Sequence, residues 1–109
     1  MVLSVPRIAS DVGELVDHIV DRFAPERIVL FGSHATGTAD DGSDVDLMVV
    51  MPSPRGRLNQ AVAIYQSLDH RVPVDILVRT PEQWAAQSPR DIMLRTAIRE
   101  GITLYAAGR

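Results

Sequence analysis

The chain contains no cysteine. Disulfide staples, thiolate nucleophiles and cysteine metal ligands are therefore excluded, and the composition suits a reducing, cytoplasmic setting. Aromatic residues are scarce: one Trp, two Tyr and two Phe in 109 residues. That is too few for the stacking platform of a single-strand nucleic-acid binder, so Trp84 and Tyr65 are expected to be packing residues. Positive charge is not in excess either. Eleven Lys and Arg stand against fourteen Asp and Glu, a net charge of −3, so no direct nucleic-acid binding is expected. No apolar run approaches the ~18 residues of a membrane span. The opening "MVLSVPRIAS" lacks the charged and apolar regions of a signal peptide, so no membrane association is expected. Repeats and low-complexity segments are absent.

What is present is an ordinary globular balance, 46% apolar and 23% charged. Residues 1–109 fit a single domain, one that buries roughly 65% of its unfolded surface. Ile8, Val12, Leu15, Val16, Ile19, Val20 and Phe23 recur at helical spacing, so residues 8–23 read as an amphipathic helix, capped near Ser10 or Asp11 and ended by Pro25. "RIVLF" (27–31), "SDVDLMVV" (43–50) and "RVPVDILV" (71–78) read as strands, the last irregular or at an edge because of Pro73. Between the second and third, Leu58, Ala61, Val62, Tyr65 and Leu68 mark a helix ending near Asp69 or His70. Thr80-Pro81 with Gln83, and Ser88-Pro89 with Asp91, look like two helix starts. The second helix would carry Ile92, Met93, Ala97 and Ile98 and stop at Gly101, before a last strand "ITLYA" (102–106). The fold class is α/β, a small sheet flanked by helices.

The chemistry sits in "IVLFGSHATGTADDGSDVDLMVV" (28–50). Side chains alternate along a strand, so Asp44 and Asp46 point one way while Val45 and Leu47 enter the opposite layer. Paired carboxylates repel unless a cation compensates them. Mg²⁺ suits such a site, taking one or two carboxylates, waters and phosphate oxygens. If strand 71–78 lies beside strand 43–50, Asp75 adds a third carboxylate, and three could hold two ions about 4 Å apart. Gly32 lets backbone approach a phosphate, and a short helix opened by Ser33 would turn N–H groups towards it.

Gly32-Ser33, ten intervening residues and Asp44-Val45-Asp46 resemble the signature of the nucleotidyltransferase superfamily related to DNA polymerase β. The longer stretch, with Gly37 and Ser43-Asp44 also matching, resembles its minimal nucleotidyltransferase branch. The resemblance implies a polymerase β-like fold with a small mixed sheet, nucleotide contacts from Gly32, Ser33, His34 and Ser43, and Mg²⁺ held by Asp44, Asp46 and Asp75. Asp75 would also activate the incoming hydroxyl. Arginine is common in that branch where this chain has His34, which is expected to lie in a loop beside the phosphate and to grip it less firmly. The resemblance further implies transfer of AMP from ATP to a hydroxyl, a tyrosine of a HEPN-type RNase toxin, in a toxin–antitoxin pair and a possible hetero-oligomer.

Blander readings stand beside these. Asp44 and Asp46 could be a polar pair at a strand start, Ser33 a helix N-cap, and Asp75 a solvated edge residue. His18 and His70 read as surface histidines, and Arg55, Arg57, Arg71, Arg79, Arg90, Arg95 and Arg99 as scattered, mostly solvated charges. "DDGSDVD" lacks the spacing of an EF-hand loop. Two functional alternatives remain: an antitoxin that acts by binding alone, and a nucleotidyltransferase subunit that modifies a small molecule.

Overall fold

A computed structural model describes residues 6–40, 42–69 and 72–108, with side chains from residue 10 onward. The expectations for Ile8, His70 and Arg71 lie outside the described side chains. The elements are α1 (Pro6–Phe23), β1 (Arg27–Phe31), α2 (Ser33–Thr36), β2 (Val45–Val50), α3 (Arg57–Ser67), β3 (Val74–Arg79), α4 (Pro81–Ala86), α5 (Ile92–Glu100) and β4 (Ile102–Ala106). The strands form one sheet in the order β3-β2-β1-β4. β1 runs antiparallel to both β2 and β4, whereas β2 and β3 are parallel and joined through α3. The mixed sheet and its flanking helices agree with the expected class.

Alternation along the strands sorts the core into two layers. Ile28 and Leu30 of β1, and Val45, Leu47 and Val49 of β2, pack with Val12, Leu15, Val16 and Ile19 of α1 and Ile64 of α3. On the opposite face Val29, Phe31 and Met48 meet Leu94 and Ala97 of α5, with Trp84 of α4 against them. The Arg27 guanidinium lies 5.3 Å from the Trp84 ring centroid, within cation–π range. No helix among the described residues is long and apolar enough to cross a membrane.

Several boundaries differ from the sequence reading. β2 begins at Val45, so Ser43 and Asp44 belong to the preceding loop. β3 begins at Val74, and Pro73 stands just before it, its carbonyl accepting the Val45 N–H at 2.9 Å. α5 begins at Ile92 rather than Pro89, because Asp91 is its N-cap. α4 starts as expected at Pro81, with Thr80 and Gln83 exchanging both bonds of a capping box. The packed face of α3 is Ala61, Ile64 and Leu68, whereas Leu58, Val62 and Tyr65 are exposed.

Arg79 is not a solvated charge. Its guanidinium grips both carboxylate oxygens of Asp91, at 2.6 and 3.0 Å, and its side chain is 12% exposed. Asp91 Oδ1 also accepts the Leu94 N–H, so one carboxylate caps α5 and ties it to the end of β3. The hydrogen bond from Arg79 holds the Asp91 carboxyl below its ordinary value, so its stabilisation is present above that ordinary pKa and fades as the pH falls through the lowered one. Asp91→Ala should lower unfolding free energy by about 2–3 kcal/mol, through the lost cap and an unpaired Arg79. Asp91→Asn, which still caps, should cost less. Urea titrations of the two variants at neutral pH check the order.

Candidate active site

The site is built at one end of the sheet by β1, α2, β2 and β3. After Phe31 the chain leaves the sheet at Gly32, whose φ of +77° is readily available only to glycine. Gly32 is the N-cap of α2, and its carbonyl accepts from Ala35 and Thr36. Ser33 is therefore the first residue of the helix and not its cap. Gly37, at φ +83°, closes the single turn.

Asp46 faces the layer of Phe31 and Met48, because Val45 and Leu47 on either side are buried in the other layer. In the parallel ladder Asp46 stands opposite Asp75, on strands about 4.8 Å apart. The Asp46 carboxyl is pushed up from 3.8 to about 6. Burial is the largest cause, followed by the charges of Asp75 and Asp44. A Cβ on Gly32 would collide with Asp46 Oδ2, so glycine here leaves room for the carboxylate.

Gly32, Asp46 and Asp75 thus come together, with Asp44 and Ser33 on the adjoining backbone. Among the described residues no three acidic or histidine side chains are gathered closely enough to form a metal cluster. Asp46 and Asp75 are cross-strand neighbours, whereas Asp44 is exposed and acts on Asp46 by its charge. The donor set still fits Mg²⁺: hard carboxylate oxygens, partly desolvated, whose repulsion a divalent cation would relieve.

Two expected nucleotide contacts are placed differently. His34 is not a loop residue; it lies in α2 and is 0% exposed, with Nε2 3.2 Å from the Ser43 carbonyl oxygen. Ser43 engages its hydroxyl with Asp40, donating to Oδ1 at 3.1 Å and accepting the Asp40 N–H at 3.0 Å. No sequence pattern marked either arrangement, since both depend on how the loop folds back.

The nucleotidyltransferase domain profile matches residues 12–99. The chain belongs to the nucleotidyltransferase domain family. Solved structures share its polymerase β-like fold. A protein of Sulfolobus solfataricus, provisionally classed as a nucleotidyltransferase, superposes with a TM-score of 0.68 at 19% identity, over 92% of this chain and 81% of that one. A mutant form of the MntA-HpeT toxin–antitoxin gives 0.56 at 21% identity, over 88% and 72%. A toxin–antitoxin with AMP-PNP gives 0.55 at 21% identity, over 87% and 73%. No curated protein matches the chain.

The raised Asp46 carboxyl makes the metal-free protein pH-sensitive. A folded-state value of about 6 against 3.8 means the folded form binds the proton more tightly, so this contribution is full below about pH 4 and is lost as the pH rises through about 6. In EDTA, Asp46→Asn should match the wild type near pH 4 and melt at a higher temperature than it at pH 8. Thermal melts across that range check it.

Proposed function

We propose that this chain is a Mg²⁺-dependent adenylyltransferase that moves AMP from ATP to a tyrosine hydroxyl of a HEPN-type RNase toxin, and so acts as its antitoxin. The observation that carries this reading is the Asp46–Asp75 pair, in register on parallel strands and abutting Gly32. Family membership, and the toxin–antitoxin and AMP-PNP structures among the fold relatives, support it.

In this reading Asp44 and Asp46 hold Mg²⁺ and Asp75 completes the set. The cation, when bound, supplies neutralisation of the carboxylates and polarisation of the phosphoryl oxygens. The bare backbone at Gly32 admits the triphosphate to the first N–H groups of α2, which lack partners within the helix. The Ser33 hydroxyl adds a donor. Asp75 is exposed on the edge strand and takes the proton of the attacking hydroxyl on its carboxylate. The hydroxyl oxygen bonds to the α-phosphorus as the bond to the bridging oxygen breaks, releasing pyrophosphate. Positioning and charge carry the rate.

A partner surface is available. The large apolar side chains Leu58, Val62, Tyr65, Ile92 and Met93 are exposed. Leu58 lines one groove and Ile92 and Met93 another, and Arg57 and Arg79 line both. Arg79 is neutralised by Asp91, which leaves Arg57 and the nearby Arg90 to favour an acidic, apolar face on the toxin.

Intact mass of the product of the adjacent gene, co-expressed with this chain, tests the transfer. Whole AMP units are expected, falling by on the order of 10²-fold or more with Asp44→Asn and Asp46→Asn together. An unmodified partner that co-purifies with both forms would replace the enzyme with a binding antitoxin. The docking face has its own expectation. Leu58→Glu with Ile92→Glu should weaken toxin binding at least tenfold by calorimetry while leaving the thermal shift by Mg²⁺ and ATP unchanged.

A further inference from the structure

Among the described residues, the proposed chemistry leaves one buried polar side chain without a task. The His34 ring is fully buried, its Nε2 lies 3.2 Å from the Ser43 carbonyl oxygen, and its Nδ1 has no hydrogen-bond partner. A carbonyl oxygen only accepts, so Nε2 carries the proton. The neutral ring then keeps Nδ1 as an acceptor turned into the interior. Leaving such an atom unpaired is costly, and a hydrocarbon of similar volume would avoid the cost. The bond to Ser43 is therefore the one polar service His34 performs here.

That bond falls at a sensitive point. The loop before β2 is closed on itself by Asp40, whose Oδ1 accepts from Gly42 N–H and from the Ser43 hydroxyl. Ser43 N–H bonds back to the Asp40 carbonyl at 3.1 Å. The Ser43 carbonyl is where this closed turn is tied to α2, through His34. Asp44 follows, exposed and outside the ladder, and the next tie is Val45 N–H to the Pro73 carbonyl at 2.9 Å. Its backbone is thus bracketed, by His34 on one side and by Pro73 on the other.

We infer that His34 is a positioning residue: it fixes the backbone of Asp44 relative to α2, so that phosphate-facing helix and metal-holding loop are set in one geometry. The inference rests on the reading of Asp44 and Asp46 as the Mg²⁺–ATP site. Histidine at this position then acts from inside the fold and not as a contact to the nucleotide.

The test compares His34→Gln, whose amide N–H reaches about as far as Nε2, with His34→Leu, which fills the space without a donor. Nitrogen shifts of the wild-type ring, metal-free at pH 7.5, should show the Nε2–H tautomer. His34→Leu should weaken Mg²⁺–ATP binding at least tenfold by calorimetry and speed amide exchange at least tenfold at Ser43 and Val45, whose N–H groups bond to the Asp40 and Pro73 carbonyls on either side of Asp44. His34→Gln should restore both to within threefold of wild type. An Nδ1–H tautomer, unchanged binding and exchange in His34→Leu, or a His34→Gln that fails as badly as His34→Leu would overturn the inference. If His34→Leu does not fold, the tautomer and the behaviour of His34→Gln decide. If the wild type shows no affinity for Mg²⁺–ATP, the functional reading fails by itself, and amide exchange at Ser43 and Val45 still decides the role of His34.

Discussion

Two carboxylates facing each other across a parallel strand pair are the constraint around which this end of the molecule is arranged. Asp46 cannot turn away, because its neighbours Val45 and Leu47 are buried in the opposite layer. Each such aliphatic side chain is worth roughly 1.5–3 kcal/mol when buried. A slip of one residue would exchange the faces of the whole strand. Against that, burial and the charges of Asp75 and Asp44 raise the Asp46 carboxyl only to about 6, and a single proton relieves the repulsion. The apolar register therefore wins, and it holds the acids together whether or not a cation is present. In the proposed reaction, preorganisation of this kind costs the site nothing extra at the moment of transfer.

The surrounding features follow from it. Gly32 is needed at the end of β1 both for its positive φ and because a side chain would occupy the space of the Asp46 carboxylate. β3 lies at the sheet edge, so Asp75 has protein on one side and solvent on the other. That asymmetry suits the two carboxylates to different tasks: the half-buried one to holding charge, the exposed one to meeting an incoming group. At the far end of β3, Arg79 and Asp91 fasten α5 to the same strand. The edge strand that carries Asp75 is thereby fixed at its distal end by a charge pair and at its start by the Pro73 carbonyl.

Much of this was legible in the sequence, because it depends on alternation. The strand cores, the shared face of Asp46 and the helix start at Thr80-Pro81 follow from period and from capping chemistry. The helix α3 was legible, but which of its faces packs was not, for a definite reason. Its segment holds two apolar stripes at helical spacing, Leu58/Val62/Tyr65 and Ala61/Ile64/Leu68, and only packing against the sheet selects the second. The start of α5 was misplaced because Pro89 and Asp91 both signal a helix start, and the carboxylate with two partners prevailed. The Arg79–Asp91 pair joins different elements, and no local pattern announces it.

His34 marks the deeper limit of such reading. A polar residue inside a run of small polar residues gives no sign of burial, and the motif's resemblance to the family implies a nucleotide contact. Physical chemistry separates the two. A guanidinium at a fully buried position needs an anion or solvent beside it, whereas a neutral imidazole can be held by one carbonyl. With histidine there, the position is compatible with an interior place that an arginine would leave in order to reach the ligand. In the proposed reaction the phosphates are then met by backbone N–H groups and by Ser33, donors whose strength does not change with pH. What the chain gives up in a fixed positive charge it recovers in a tether between the phosphate-facing helix and the loop that carries Asp44.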